Sequence, residues 1–215
     1  MIGHLRDTGN INERKIRLFA IACCRRLCDS IPKGACRDTI DVSERYINGL
    51  ATKEELKKQY DIIDSLYERE EIEQSSDSYS YALSLARWAA RQDRGMAEMG
   101  QRIVHYAMLL KPDIEAIFYA DLLRDIFGPD PGNPPKIVPQ LLTWNDGTIL
   151  RMAERINKEG TWKLMPILAD ALEEAGCADP RILDHCRNCT RYVRGDWVVD
   201  AILHPRMEMN QSIGR

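Results

Sequence analysis

Long hydrophobic runs are missing from this chain of 215 residues. No apolar stretch approaches the ~20 residues that cross a bilayer, and the opening MIGHLRDTGN lacks the apolar centre of a secretion signal. An excess of one charge is missing too, because 29% of the residues are charged but the net charge is only −3. The chain therefore has no global field that would attract nucleic acid or an anionic membrane. We expect a cytoplasmic protein with no membrane partner.

Strand signals are equally scarce. The chain has three Phe, its Val and Ile are spread thinly, and alternation of apolar and polar residues over five or more positions hardly occurs. Helical periodicity recurs almost everywhere. The sequence predicts an all-α fold, a bundle or array of about nine to ten helices with little or no sheet. A hydrophobic content of 44% is enough for a core without disulfides or metals.

Familiar catalytic signatures are also absent. There is no glycine-rich phosphate loop, G-x-S-x-G elbow or H-E-x-x-H motif, and the chain has only four histidines. His105 stands mid-helix among apolar residues, which predicts a core histidine. Asp170, Glu173 and Glu174 fall on the outer side of their helix, where carboxylates keep a surface soluble. These observations disfavour an enzyme and predict no cofactor.

The clearest helix is predicted from about Asn12 to Ser30. Its apolar and small residues recur with the i, i+3, i+4, i+7 spacing of one buried face. These residues are Ile16, Phe19, Ala20, Cys23, Cys24, Leu27 and Cys28. Core packing explains the cysteines among them, and also Cys36, because an unpaired cysteine is usually a small buried residue. The odd total of seven cysteines and the absent export signal indicate reduced thiols.

Several helix boundaries can be read from the residues that flank them. Thr52 followed by Glu55 has the pattern of a capping box. The acidic, serine-rich segment from Glu68 to Ser80 predicts a loop, although its first residues can continue the preceding helix. Asp179-Pro180 is typical of the N-cap and first position of a helix.

The C-terminal part predicts three further helical patterns. Asn145 or Asp146 is expected to cap a helix that Gly160 ends. The next helix has an apolar stripe that ends at the Gly176 stop. A final helix from about Gly195 is apolar nearly all round, which predicts a central place in its core. The members of the stripe are Leu164, Ile167, Leu168, Ala171, Leu172 and Ala175.

The segment from Gly128 to Gln140 holds five prolines in thirteen positions. Such a segment cannot be helical and favours an extended, polyproline-like backbone. We predict an N-terminal helical region over 1–127, a connecting loop over 128–140, a C-terminal helical unit over 141–205 and a flexible tail over 206–215. Whether the two helical regions are separate domains stays open, because a proline-rich loop can also cross a shared core.

A candidate zinc site lies near the C-terminus. Cys186-Arg-Asn-Cys189 is a C-x-x-C pair with His185 beside it, and Cys177 would be the fourth ligand of a tetrahedral ion. However, Cys177 alone is a poor second pair of ligands, and the adjacent side chains of His185 and Cys186 point in different directions on a helix. Buried thiols at a helix end are the alternative. A redox-active C-x-x-C pair is disfavoured, because no βαβ context surrounds it.

A candidate anion or nucleic-acid site lies on the first helix. Its basic residues fall outside the apolar ladder, and a basic helix face can bind phosphates. The alternative is a solvated face paired with acidic helices, and aromatic residues that would stack on bases are not interleaved with it. The residues are Arg14, Lys15, Arg17, Arg25 and Arg26.

Two sequence blocks resemble an uncharacterised bacterial family that is abundant in planctomycetes. One is RKIRLFAIACCRRL with the following VSERYINGLATKEEL, and the other runs from LTWNDGTILRMAERI through MPILADALEEAGC and ILDHCR to VRGDWVVDAIL. The resemblance implies a helical protein and supplies no activity. The resemblance implies that the position of Tyr192 is often His and that of Asp196 often Cys, so this chain lacks half of any metal-binding spacing in that family.

These patterns favour a non-enzymatic helical module that binds another protein through a helix face or through the proline-rich loop. Two alternatives remain. One is a nucleic-acid-associated protein that uses the basic first helix, and the other is a zinc protein that uses His185, Cys186 and Cys189.

Overall fold

The architecture comes from a computed structural model that describes residues 13–73, 76–92, 96–130, 133–188 and 193–205. Throughout these ranges the regular structure is helical and no strand occurs, so the prediction of an all-α, multi-helix fold is confirmed. Within the same ranges no helix has both the length and the apolar character needed to cross a membrane. The chain divides into two compact units, Met1–Ile126 and Phe127–Arg215, next to the boundary predicted from the prolines.

The first unit is built around its first helix. Its helices are α1 Glu13–Arg26, α2 Ala35–Ile47, α3 Lys53–Glu73, α4 Asp77–Ala90, α5 Met96–Leu110 and α6 Ala116–Phe127. α1 packs against α2, α4 and α5. Its predicted ladder is confirmed, because every member from Ile16 to Leu27 is buried and Cys28 is partly buried.

Arg17 departs from the prediction. It was expected on the solvated basic flank of α1, but its side chain is only 1% exposed. The guanidinium donates hydrogen bonds to the carbonyls of Ala89 and Arg91 at 2.9 Å, and to Glu13 at 3.0 Å. These carbonyls belong to the end of α4, where helix geometry leaves backbone acceptors without partners. The helical pattern of α1 alone gives no sign that the end of α4 meets it here.

The junction of α3 and α4 also differs from the sequence interpretation. The loop predicted from Glu68 to Ser80 is mostly helical, because α3 continues to Glu73 and α4 begins at Asp77. Glu70 is buried and accepts a hydrogen bond from the Ser76 backbone, while the Ser76 side chain caps α4 by accepting from the Tyr79 amide. Acidic and serine residues therefore serve helix ends here. Residues 74 and 75 lie outside the described ranges.

The predicted capping box at the start of α3 is confirmed. Thr52 donates its backbone N–H to Glu55 at 2.7 Å, and Glu55 donates its own to the Thr52 hydroxyl at 3.1 Å. The hydrogen bond from the Thr52 amide lowers the pKa of the Glu55 carboxyl.

Side chains of α1 reach α6 at two points. Lys15 donates to the Ile126 carbonyl at 3.0 Å, near the end of α6. At the other end, the Arg26 guanidinium lies 5.6 Å from the centre of the Phe118 ring. Tyr119 is buried between these contacts, and burial raises the pKa of its phenol to about 12.

The second unit has its own core. Its elements are α7 Pro139–Thr143, a 3₁₀ turn Trp144–Gly147, α8 Thr148–Glu159, a 3₁₀ turn Trp162–Leu164, α9 Met165–Glu174, α10 Pro180–Asn188 and α11 Trp197–Leu203. α8 packs against α7, α9 and α11, and α9 packs against α10. The predicted end of α8 at Gly160 and the predicted Asp179 cap of α10 are confirmed. The central place predicted for α11 is also confirmed by its buried Trp197, Val198, Val199 and Ile202.

Two predictions in this unit are wrong. Neither Asn145 nor Asp146 caps α8, because both adopt left-handed backbone angles, with φ of 47° and 54°, and Gly147 is the residue before the helix. The apolar stripe predicted for α9 is wrong at Ile167, which is 54% exposed. Its other members, Leu164, Leu168, Ala171, Leu172 and Ala175, are buried or partly buried against the core. The buried face is formed by Met165, Leu168, Ala169 and Leu172, which keep the spacing of one helix face but start at a different residue.

The proline-rich segment packs back onto its own unit. Pro135 is buried, Ile137 contacts the core of α8, α9 and α11, and Arg181 donates to the Asn133 carbonyl at 3.1 Å. Residues 131–132 and the predicted tail over 206–215 lie outside the described ranges. The described part of this segment is therefore mostly held against the second unit. It is not an unattached extended peptide that a partner could bind.

Candidate functional site

The most specific polar contact of the second unit joins α10 to α11. Asp196 is the N-cap of α11, and its Oδ1 accepts the backbone N–H groups of Val198 at 3.0 Å and Val199 at 3.3 Å. Its Oδ2 lies 2.6 Å from Nε2 of His185 in α10. The Asp196 side chain is fully buried, whereas that of His185 is 15% exposed. Sequence analysis missed this cap, although Gly-Asp before an apolar run is a recognisable helix start.

A carboxylate that fixes an imidazole has two known uses. It orients the histidine of a catalytic pair or of a metal site, and it can equally connect two helices. Here Oδ1 is committed to the amides that begin α11, so the carboxylate cannot move without uncapping that helix. Both uses need a fixed carboxylate, and what the structure shows is that this one connects α10 to the start of α11.

Trp197 lies beside this pair and is almost completely buried. Its ring centre is 5.3 Å from that of His185, and a Cβ placed on Gly128 would lie 3.4 Å from the indole. The indole Nε1 is buried without a hydrogen-bond partner among the described residues. Gly128 also has a φ of +86°, so both the close approach and the backbone angle favour glycine.

The proposed zinc ligands do not converge in the part of the chain that the structure describes. Cys177 and Cys186 are buried in the core of the second unit, and His185 contacts Asp196 through Nε2. No three His, Cys, Asp or Glu residues within the described ranges are placed to hold a metal ion. Cys189 lies outside those ranges, so zinc binding stays a prediction, and elemental analysis of the purified chain tests it.

The basic residues of α1 are spread over several environments. Arg17 is buried, which makes its assignment to an anion-binding face wrong, and Lys15 contacts the end of α6. Arg25 forms ion pairs with Asp41 and Glu44, both at 2.5 Å. Arg14 is partly buried, and Arg26 is exposed. Nucleic-acid binding stays a prediction, and retention on a DNA or RNA column at low salt tests it.

The N-terminal cysteines are core thiols rather than reactive groups. Cys23, Cys24 and Cys36 are at most 2% exposed. Burial raises the pKa of Cys24 to about 12, that of Cys36 to about 11, and that of Cys23 well above its usual value. Because the thiolate is the nucleophile, these residues are expected to be inert at neutral pH.

Large apolar side chains are exposed where α5 turns into α6. Met108 and Leu109 in the last turns of α5 are each 40% exposed, and Ile117 at the start of α6 is 53% exposed. Pro112 between them is exposed as well. We call this surface the α5–α6 corner and define it by Met108, Leu109, Pro112 and Ile117.

His105 borders this surface one turn earlier on α5. It was predicted to be a core histidine but is exposed, and its ring lies 5.2 Å from that of Tyr106. Positions 105, 108 and 109 share one outward face by helical spacing. The signal was present in the sequence, since Met108 and Leu109 fall off the stripe formed by the buried Met99, Ile103 and Ala107.

Three ion pairs lie on α5, on α6 and in the turn between them. Glu98 and Arg102 are 3.3 Å apart on α5, Lys111 and Asp113 are 3.6 Å apart in the turn, and Asp121 and Arg124 are 2.5 Å apart on α6. Glu115, between Asp113 and Ile117, is also exposed and belongs to none of these pairs. The charge next to the corner is therefore not fully compensated.

A shallow open groove follows the solvent face of α3 between Glu54 and Arg69. The described residues along it come from this single helix and are mostly charged, with Ile62 near the middle. Such a surface is typical of a solvated helix face rather than an enclosed ligand site.

Comparison with models of protein families, with curated proteins and with solved structures found no match. The resemblance to the bacterial family described above accordingly stays a prediction. Any function has to be argued from the chemistry of the surfaces themselves.

Proposed function

We propose that this chain is a non-enzymatic helical module that binds another protein, and that the α5–α6 corner is its contact surface. The observation that carries the proposal is the exposure of Met108, Leu109 and Ile117, by 40%, 40% and 53%, within ten residues of chain. Exposed apolar residues are ordinary when they are scattered singly, but a group of them marks a site of interaction. Burying such side chains in an interface releases about 25 cal/mol per Å².

The other exposed apolar residues do not form a comparable group. Among the described residues, Leu50, Ile62, Val138 and Ile167 are separated along the chain by twelve positions or more. The corner differs because both of its helices and the turn between them contribute apolar atoms. The α1 side of α6 is already used, since Tyr119 is buried there and Phe118 contacts Arg26, so Ile117 is left for an external contact.

Site-specific photocrosslinking tests this proposal. A photoreactive phenylalanine analogue is placed at Leu109, and a matched control carries it at Ile167, which is somewhat more exposed and lies on α9 in the second unit. In cells that express the chain at its native level, we expect a discrete crosslinked product from position 109 and none from position 167.

Two outcomes would contradict the proposal. One is the absence of a product from position 109, and the other is the same diffuse set of products from both positions. A Met108→Glu change in the crosslinking chain is expected to remove the product, because a carboxylate at a closed apolar contact loses its hydration.

A further inference from the structure

The end of α2 carries the one Asn-Gly step of the sequence, Asn48-Gly49. Asparagine is thermally labile, and it is most labile before glycine, because no side chain shields the backbone nitrogen that follows. We propose that Asn48 is a site of spontaneous deamidation whose rate is set by opening of the turn after α2. The product is an irreversible covalent mark at the junction of α2 and α3. This site is independent of the proposed function.

The reaction uses only this chain and water. The backbone nitrogen of Gly49 attacks the side-chain Cγ of Asn48, ammonia leaves with the amide proton of Gly49, and a succinimide ring closes. Water then opens the ring at either carbonyl. One product is aspartate, and the other is isoaspartate, in which the main chain runs through the former side chain and gains a methylene group. No oxidant or reductant takes part.

The native turn engages the attacking nitrogen. Asn48 is the C-cap of α2, and Gly49 follows it with a φ of +70°. The Gly49 N–H donates to the Tyr46 carbonyl at 3.0 Å, and the Leu50 N–H donates to the Arg45 carbonyl at 2.8 Å. These two hydrogen bonds form the Schellman pattern of a helix end, which favours glycine at this position. The same glycine that closes the helix therefore creates the labile step.

The side chain of Asn48 is held as well. Its Nδ2 donates to the Glu44 carbonyl at 2.8 Å, and its ψ is 7°. At that ψ the Gly49 nitrogen eclipses the backbone nitrogen of Asn48, so ring closure needs a rotation of about 120° around the Cα–C bond. Such a rotation breaks the hydrogen bonds of the turn. Deamidation therefore starts from the opened turn and not from the native one.

Several features let this turn open locally. Gly49 is exposed, and Leu50 is 68% exposed, so neither adds much packing. A Cβ built on Gly49 meets nothing within 4 Å, which leaves room for water. Arg45 ties the turn, because its guanidinium donates to the Leu50 carbonyl at 3.0 Å and lies 3.7 Å from Glu55 in the capping box of α3. Helix ends of this kind open at low free energy.

Closure of the turn does not undo the reaction. A carboxylate at position 48 no longer donates to the Glu44 carbonyl. It also places negative charge at a helix C-terminus, where the helix dipole is already negative. An isoaspartate further lengthens the main chain inside the hydrogen-bonded turn between Tyr46 and Gly49. Either product therefore weakens the end of α2.

Peptide mapping by mass spectrometry tests the proposal. The full chain is incubated near neutral pH, either folded or in guanidinium chloride, and the tryptic peptide that contains Asn48 is followed for exchange of the amide NH₂ for OH. In guanidinium chloride we expect Asn48 to lose its amide before any other asparagine. In the folded chain the rate should be at least about tenfold lower. The Asp146-Gly147 step can also form a succinimide, but it releases water rather than ammonia and does not contribute to the measured exchange.

Matched variants separate the opening of the turn from the chemistry. Arg45→Ala removes the side chain that ties the turn, so it should speed deamidation of the folded chain at least about twofold and leave the rate in guanidinium chloride unchanged. Arg69→Ala removes another exposed arginine, from an ion pair on α3, and should change neither rate. Asn48→Asp supplies one of the products. In that variant the amides of Gly49 and Leu50 should exchange about fivefold faster with solvent deuterium, as expected for the loss of one hydrogen bond.

Three results would overturn the proposal. The first is an equal rate of amide loss at Asn48 in the folded and the unfolded chain. The second is another asparagine that loses its amide faster than Asn48 in guanidinium chloride. The third is an Arg45→Ala chain that keeps its helices by circular dichroism but deamidates no faster than the original. Unchanged hydrogen exchange in Asn48→Asp would contradict the predicted weakening of α2 without relying on Arg45→Ala.

Discussion

Replacing Arg17 by Met is expected to destabilise the first unit more than any substitution of an exposed charge. The guanidinium is 1% exposed and donates three hydrogen bonds, two of them to the carbonyls of Ala89 and Arg91. Methionine keeps most of the aliphatic packing but leaves both carbonyls without that partner. An unsatisfied buried acceptor costs about 1–3 kcal/mol, and two such acceptors remain, whereas Glu13 is 58% exposed and regains water.

We therefore expect Arg17→Met to lower the free energy of unfolding by about 2–5 kcal/mol. Arg17→Lys should cost roughly half of that, because an ammonium group cannot reach two carbonyls with the planar fork of arginine. The matched control is Arg102→Met. Arg102 forms an i, i+4 pair with Glu98 on α5, but it is 49% exposed, so its loss should cost about 0.5 kcal/mol or less.

Urea unfolding followed by circular dichroism measures the difference, and hydrogen exchange of the α4 amides shows whether the loss is centred on the end of that helix. The two compact units can unfold separately, so the exchange data also assign the transition to the first unit. The reasoning is refuted if Arg17→Met costs less than about 1 kcal/mol, or if it costs no more than Arg102→Met.

Three further predictions concern the core and the second unit. Asp196→Ala removes a helix cap and a buried carboxylate contact, so it should lower the free energy of unfolding by about 2–4 kcal/mol. Urea titrations measure this change. A loss below about 0.5 kcal/mol, the size of ordinary surface effects, would contradict the stabilising role of the cap. Gly128→Ala should cost about 1–2 kcal/mol because of the positive φ and the approach of Trp197, and a neutral change would contradict it. Unfolded thiols ionise near pH 8.5, whereas burial raises the pKa of Cys24 to about 12 and that of Cys36 to about 11. The unfolded chain therefore loses protons first, and stability should fall as pH rises from about 9 to about 11; a urea midpoint that stays constant over this range would contradict the assignment.

Helical spacing was sufficient to predict the fold class and the buried face of α1. It also gave the capping box at Thr52, because that motif is local and depends on residues three positions apart. Spacing could not place Arg17, since its environment is created by the end of α4, more than seventy residues away. The helical pattern predicts the direction in which a side chain projects from the helix axis. Tertiary packing decides which neighbour the side chain meets in that direction.

The misassigned residues near helix ends have a common physical cause. Asn145 and Asp146 are good cap residues, but they also tolerate left-handed backbone angles, and the structure uses the second property. The pair of His185 and Asp196 joins elements eleven residues apart through one carboxylate, a contact that no local pattern encodes. The α5–α6 corner could have been predicted from Met108 and Leu109, which depart from the buried stripe of their own helix.

The central position of α1 has a consequence for synthesis of the protein. α1 is made before α4 and α5, yet these helices cover it, and Lys15 donates a hydrogen bond to a carbonyl 111 residues further along the chain. At translation rates of roughly 5–20 residues per second, the apolar face of α1 stays uncovered for several seconds after it leaves the ribosome. During that interval the nascent helix is a natural substrate for chaperones that bind exposed apolar segments.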